Sequence, residues 1–215
     1  TEESSVVAAL SNSSKFWYDR GGFKSKVISK IKTGQVHFKY NGDGENLEKF
    51  INDNEHRLIE STDMITKKMR KRGGGISKIK LINKSAELKS YYQLHIDFKT
   101  IDSMGANFIN SCLEIISKKF HELLTDSPKF KESEKKIEVI MSILSNYTPE
   151  CIVESSLECK IGDLGNIDGM SPKEFALRFK DAFNIADIDV NRAVTHNKGI
   201  MNGIDAVLIS TGNDF

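Results

Sequence analysis

Between residues 27 and 144 the apolar residues switch repeatedly between strand and helix spacing, and that order restricts the fold more than any other feature. Val27, Ile28, Ile31, Val36, Phe38 and Tyr40 give residues 27–40 strand character, around a turn expected at Thr33-Gly34. Residues 45–69 read as one long helix, with Leu47, Phe50, Ile51, Leu58, Ile59 and Ile65 near helical spacing. Lys71-Arg72-Gly73-Gly74-Gly75 closes it, because cations suit the negative end of the helix dipole and glycines do not sustain a helix. Residues 76–82 and 91–98 are the next two strands, joined by the polar 83–90 connection. Asp102 or Ser103 can cap a helix over 104–124, and residues 137–144 form a further strand. Strand, helix, strand, strand, helix, strand is the split βαβ, or ferredoxin-like, order. It packs two helices on one face of an antiparallel sheet.

The flanks read differently. Residues 1–20 predict one helix, with Val6, Val7, Ala9, Leu10, Phe16 and Trp17 apolar and Asp19-Arg20-Gly21-Gly22 as its stop. Later come a strand over 151–161, a helix over 171–183 opened by Ser-Pro, a short helix over 190–199 and a buried-type strand over 206–210. The first helix has no neighbour of its own, so it is expected to pack with these later elements. The expected fold is α+β: a small ferredoxin-like domain, 27–145, inserted into a discontinuous large domain of mixed helix and strand, 1–26 and 146–215. A chain of 215 residues can bury both cores.

Charge excludes some partners. The chain has 31 basic and 30 acidic residues, a net charge of +1, so no global field favours nucleic acid or a membrane surface. No apolar run approaches the roughly 18 residues of a membrane span, and neither a signal peptide nor a lipidation motif is visible. Cys112, Cys151 and Cys159 fit neither a zinc site nor a disulfide framework, so they read as reduced, mostly buried thiols of a cytoplasmic protein. No metal site is expected.

Three polar segments exceed what helix and strand building needs. In Arg192–Asp214, Lys198 sits among His196, Asn197, Asn202 and Asn213, and the segment ends on Gly-Asn-Asp. A lysine and an aspartate brought together at loop ends suit carbonyl chemistry: the cation stabilises charge developing on oxygen, and the carboxylate tunes the lysine. A solvated loop lysine is the plain alternative, and His196 reads as structural rather than as an acid or base. Asp102-Ser103-Met104-Gly105-Ala106-Asn107, at a strand-to-helix junction, permits close backbone approach to a ligand; a simple capped helix is its alternative. Thr1-Glu2-Glu3-Ser4-Ser5 alone reads as an acidic helix start. No GxGxxG fingerprint is present, and Gly73-Gly74-Gly75 lacks the Lys-Ser/Thr of a P-loop.

Together these segments resemble 3-hydroxy-3-methylglutaryl-coenzyme A reductase of the bacterial type, class II. The likeness rests on Glu-Glu-x-Ser-x-Val-Ala-Ala near the start, Asp-x-Met-Gly-Ala-Asn in the middle, and Arg-Ala-Val-Thr-His-Asn-Lys-Gly-Ile-Met-Asn-Gly-Ile-Asp followed by Thr-Gly-Asn-Asp. The last is long and specific, and the likeness runs from Thr1 to Phe215. It implies an NAD(P)H-dependent oxidoreductase that reduces a thioester to mevalonate and coenzyme A in two hydride transfers, or runs the reverse oxidation. It implies Glu3, Lys198 and Asp214 as the catalytic residues, and Ser5, Asn146, Arg192, Thr195 and Asn202 as the lining of the hydroxymethylglutaryl site. In that family the small domain binds the dinucleotide, so Asp102, Met104, Gly105 and Asn107 are expected at its nicotinamide end. NAD-using members carry an acidic residue seven positions before the three glycines. Thr66 stands there, followed by Lys67, Lys68 and Arg70, which favours a 2′-phosphate and hence NADPH over NADH. A solvated helix end is the other reading of these cations.

The likeness further implies a homodimer or larger homo-oligomer with a shared active site, and it shows two departures. Ser4 replaces the proline usual after the second glutamate. The family's N-terminal dimerisation segment and its C-terminal flap, which carries the thiolate-protonating histidine, have no counterpart between Thr1 and Phe215. The 215-residue chain is therefore expected not to complete the reaction unaided. The alternative function is a truncated, non-catalytic core that binds coenzyme A thioester or dinucleotide without turnover.

Overall fold

A computed structural model of the protein describes residues 4–102 and 105–213. The chain divides into two compact units, one of Val27–Val153 and one of Thr1–Lys26 with Glu154–Phe215.

The first unit is built on strand β1, Lys24–Tyr40, followed by α2 (Gly44–Glu60), α3 (Asp63–Lys71), β2 (Gly75–Asn83), β3 (Tyr91–Lys99), α4 (Ala106–Asp126), β4 (Ile137–Leu144) and β5 (Cys151–Ser156). Helix α1, Ser4–Tyr18, precedes them. The strands lie in the order β2-β3-β1-β4, with β5 also on β1. β1–β3, β1–β4 and β2–β3 are antiparallel. Alternation decides the two faces. Val36, Phe38 and Tyr40 of β1 and Tyr92, Leu94, Ile96 and Phe98 of β3 point to one side and are buried. Leu47, Ile51 and Leu58 of α2 and Ile109, Leu113, Ile116 and Phe120 of α4 complete that core. Phe38 meets Phe120 edge-on at 5.3 Å between ring centroids, and Tyr40 meets Tyr92 at 5.8 Å.

Two polar side chains tie the helices to strand backbone. Glu55 of α2 accepts from the amide of Ile79 at 2.7 Å, beside the register shift in β2. Asn110 of α4 accepts from the amide of Leu144 at 2.9 Å. Each satisfies an amide that the ladder leaves unpaired.

Several expectations are corrected. Thr33-Gly34 is no turn: β1 runs straight through it, because Gly34 marks where α4 approaches the sheet. A Cβ there would lie 2.8 Å from both methyls of buried Leu113. The long helix 45–69 is two, broken at Ser61-Thr62, whose hydroxyls donate to the carbonyls of Leu58 and Ile59 and compete with helical bonding. Asp102 does not cap α4, whose N-cap is Gly105, without a side-chain bond; Ser103 lies outside the described residues. The three glycines satisfy geometry as well as composition. Gly73 and Gly75 have φ of 84° and 117°, and a Cβ on Gly74 would sit 2.6 Å from the carbonyl of Lys99.

In the second unit, α1 is joined by a 3-10 turn (Ile161–Leu164), α5 (Pro172–Ile188) and α6 (Val190–Ser210). The strand expected over 151–161 stops at Ser156, and its last residue enters the 3-10 turn. Residues 206–210 are not a strand but the last turns of α6. Their apolar run is too short for its period to tell strand from helix, and the helix that Asp189 caps continues through Gly199 and Asn202-Gly203, residues that suggest a turn in the sequence. Ser171 caps α5, with Pro172 in the first turn. Arg20 fastens the end of α1: it donates to the carbonyls of Phe16, Asp163 and Leu164 at 2.7, 2.8 and 3.3 Å, over the Phe16 ring.

Gly34→Ala is predicted to destabilise the sheet unit by about 1–3 kcal/mol through overpacking against Leu113. Urea denaturation of the full protein measures this, and an unchanged midpoint would contradict the close approach.

Candidate active-site elements

The polar segment 192–213 is organised by α6. Because that helix is continuous, Arg192, Thr195, Lys198 and Asn202 recur at intervals of three and four residues and form one stripe, about 15 Å long at 1.5 Å per residue. Lys198 stands in mid-helix and exposed, not at a loop end, while Arg192 and Asn202 are partly buried. Thr195 donates to the carbonyl of Asn191 at 2.9 Å, the usual habit of a helical threonine. His196, four residues on from Arg192, packs edge-on against Phe183 of α5, 5.0 Å between centroids. That contact agrees with its structural reading. Ser5 lies in the first turn of α1, and Asn146 is exposed in the bend after β4. Glu3 and Asp214, the other two expected catalytic residues, lie outside the described residues.

At the other candidate region, β3 leads through Thr100 and Ile101 into Asp102. Ile101 has a φ of 57°, a left-handed conformation that costs a β-branched residue about 1–3 kcal/mol. Thr100 is held by its backbone amide and hydroxyl, both donating to the carbonyl of Lys30, at 2.9 and 3.0 Å. Asp102 is exposed and lies 3.8 Å from the Lys30 ammonium. Gly105 and Asn107 open α4 and are exposed; Met104 lies outside the described residues. Where β3 ends, Thr100 is thus held and Ile101 strained, which suits the start of a ligand loop.

Helix α3 sorts the expected cofactor residues. Thr66 is 2% exposed and its hydroxyl donates to the carbonyl of Thr62, so it faces the core. Lys67 faces outward and, with Asp63, Arg70 and Lys71, lines an open depression of about 510 Å³. Arg70 is ion-paired to Asp63. Sequence reasoning named Lys67 and Arg70 but missed Asp63 and Lys71; the i, i+4, i+7, i+8 spacing on α3 was the available signal. Among the described residues no group of three or more His, Cys, Asp or Glu side chains is placed to hold a metal ion. No helix among them is long and apolar enough to cross a membrane.

The family model for hydroxymethylglutaryl-coenzyme A reductase matches residues 1–215. The chain is 29% identical over 223 residues to 3-hydroxy-3-methylglutaryl-coenzyme A reductase of Archaeoglobus fulgidus, covering 100% of this chain and 45% of that protein. It is also 29% identical over 216 residues to the probable reductase of Borreliella burgdorferi, with 100% and 46% covered. The chain thus spans about half the length of these curated relatives. Among solved structures, a reductase of Streptococcus pneumoniae superposes with a TM-score of 0.81 at 34% identity, over 100% of this chain and 54% of that one. A second structure, of the class II reductase from Streptococcus pneumoniae bound to NADPH in open conformations, gives 0.81 at 33%, over 100% and 55%.

Thr66→Asp, which installs the acidic residue expected of NAD-using relatives, is predicted to place an unpaired carboxylate in the α3 core. The expected loss is on the order of 3 kcal/mol of stability. A thermal melt equal to the wild type's would show that position 66 reaches solvent.

Proposed function

This chain belongs to the hydroxymethylglutaryl-coenzyme A reductase family, and we propose that it supplies the charge-stabilising part of an active site that reduces 3-hydroxy-3-methylglutaryl-coenzyme A to mevalonate and coenzyme A, or oxidises mevalonate in reverse. The observation that carries this reading is the family match across all 215 residues together with the single stripe of Arg192, Thr195, Lys198 and Asn202 on α6.

In this reading Lys198 stabilises the oxyanion of the thioester and then of the hemithioacetal. Glu3 delivers a proton as the intermediate collapses to the aldehyde and is reduced again. Asp214 bridges the two and keeps the lysine charged. Arg192 takes the substrate carboxylate with its two-pronged guanidinium, while Ser5, Asn146, Thr195 and Asn202 orient the remainder. Proton delivery to the departing thiolate is assigned to a histidine elsewhere in the whole protein.

The Val27–Val153 unit is read as the ferredoxin-like dinucleotide domain; its strand order and its helices on one sheet face support this. A bound NADPH or NADH supplies the hydride. Asp102, Met104, Gly105 and Asn107 hold the nicotinamide end. The cations Lys67, Arg70 and Lys71 suit a 2′-phosphate, so NADPH is the preferred cofactor; no metal enters the scheme. Thr66 serves by packing α3 rather than by touching the cofactor. A homodimer or larger homo-oligomer belongs to the same reading. The exposed Phe179, Phe183, Ile204 and Val207 of α5 and α6 support it, being apolar surface that further protein would cover. A reducing, cytoplasmic setting is supported by the free Cys112, Cys151 and Cys159.

The second reading, a core that binds without turnover, is favoured only by the half-length coverage of the relatives. Both are tested in the longest natural form of the protein. Lys198→Ala is expected to lower kcat for mevaldehyde reduction by roughly 100- to 1,000-fold, and unchanged activity defeats the assignment. Wild-type protein that binds coenzyme A thioester without oxidising NADPH establishes the second reading. Replacing Lys67 and Arg70 together by alanine is expected to raise KM for NADPH and leave that for NADH unchanged. Equal effects on both cofactors would remove the 2′-phosphate from α3.

A further inference from the structure

The face of the sheet turned away from α2 and α4 carries a connected chain of five side chains. On β1 they are Gln35 and His37; on β3, Tyr91, Gln93 and His95. The strand register sets Gln35 opposite His95 and His37 opposite Gln93. His95 Nε2 lies 2.8 Å from Gln35 Nε2 and 2.7 Å from Gln93 Oε1. Gln93 Nε2 donates to the Tyr91 hydroxyl at 2.6 Å, and that hydroxyl lies 2.6 Å from His37 Nδ1. The His37 and Tyr91 rings are stacked, 6.0 Å apart and 9° from parallel. All five residues are partly buried.

The chemistry of one nitrogen makes this chain two-valued. Bare, His95 Nε2 accepts from the Gln35 amide; carrying hydrogen, it donates to the Gln93 carbonyl oxygen. It cannot do both. At the far end, His37 with Nδ1 bare accepts from the Tyr91 hydroxyl, which in turn accepts from Gln93. With hydrogen on Nδ1, His37 donates to Tyr91 instead, and the phenolic hydrogen must turn away. Each histidine therefore sets which hydrogen bonds across β1 and β3 are made.

We propose that the Gln35–His95–Gln93–Tyr91–His37 chain is a pH-sensitive switch on the helix-free sheet face, in which protonation exchanges the hydrogen-bond partner of His95 and reverses the direction of the His37–Tyr91 bond. The inference rests on no part of the enzymatic reading. The charged groups around it come from every neighbouring strand. Lys80 of β2 is paired with His95, Lys84 follows β2, Asp97 lies on β3 and is held by the Thr33 hydroxyl at 2.8 Å, and Lys39 of β1 lies beside Glu138 of β4. At the registers of Gln35 and His37, β4 presents only Ile143 and Met141. Burial lowers both imidazoles below 6.5. For His95, Asp97 opposes this, while His37, Lys80 and Lys84 add to it. A lowered folded value means that the folded state binds fewer protons than the unfolded one. Its stability is whole above 6.5 and falls as pH drops from 6.5 through the folded values.

The test follows histidine signals by NMR in the full-length protein labelled at imidazole Cε1, from about pH 5 to 8, with His37→Gln and His95→Gln assigning the two signals. Two near-isosteric variants then separate the switch from simple burial. Gln35→Met removes the donor that serves neutral His95, so its midpoint is expected to rise by roughly half to one pH unit. Gln93→Met removes the acceptor that serves the protonated ring, so its midpoint is expected to fall by a similar amount. Opposite shifts for the two glutamine variants support the switch. Shifts in one direction, no shift, or wild-type histidines titrating at 6.5 overturn it.

Discussion

The burial of β1 at the centre of its sheet is the constraint on which the rest of the larger unit depends. This 17-residue strand pairs with β3 on one side and β4 on the other, and β5 joins it as well. Val36, Phe38 and Tyr40 are at most 1% exposed on one face, each contributing a large apolar side chain to the core with α2 and α4. A strand paired along both edges cannot slip by one residue without turning its whole apolar set to the wrong face. Its pairing therefore fixes β3, and through β3 the start of the Thr100–Asp102 segment. Gly34 lets α4 come close enough to fill the space, and that in turn sets where Gly105 and Asn107 emerge.

The same alternation that buries one face organises the other. Residues left off the core, Gln35 and His37 on β1 and Tyr91, Gln93 and His95 on β3, are held in register by strands whose positions the core has already decided. Their hydrogen-bond chain is a by-product of rigid pairing. The helical unit works differently. There the ordering comes from caps and clasps: Ser171 and Asp189 start α5 and α6, and Arg20 binds the end of α1 to the 3-10 turn. Much apolar surface of α5 and α6 stays exposed. Its polar stripe is made by helix continuity rather than by a surrounding core.

Much of the architecture was legible in the residues. The order of elements from β1 to β4 followed from apolar spacing, and the family from three motifs. What was missed has a common origin. Thr33-Gly34 carried turn-like residues, yet glycine there answers a neighbour 79 positions away in sequence, Leu113, which local reading does not see. The break at Ser61-Thr62 depended on hydroxyls choosing backbone partners. Residues 206–210 had strand composition and followed the turn-like Asn202-Gly203, yet α6 ran on through both and carried Lys198 into mid-helix. For the site, Arg192, Thr195 and Asn202 were named with Lys198, but that they share one stripe follows only from that continuity. Thr66 illustrates the reverse: its position relative to the glycines pointed to a cofactor, and α3 turned it inward.

The sequence by itself determined the period of most segments, the Ser171 start of α5, the glycines that end α3 and the family motif, because these depend on neighbours a few residues apart. Only the tertiary structure decided which glycine was a turn and which a close approach, that Thr66 packs while Lys67 faces solvent, and that two histidines on separate strands share one hydrogen-bond chain. Those outcomes depend on which surfaces meet across long stretches of chain, where packing and desolvation, not local propensity, set the energy.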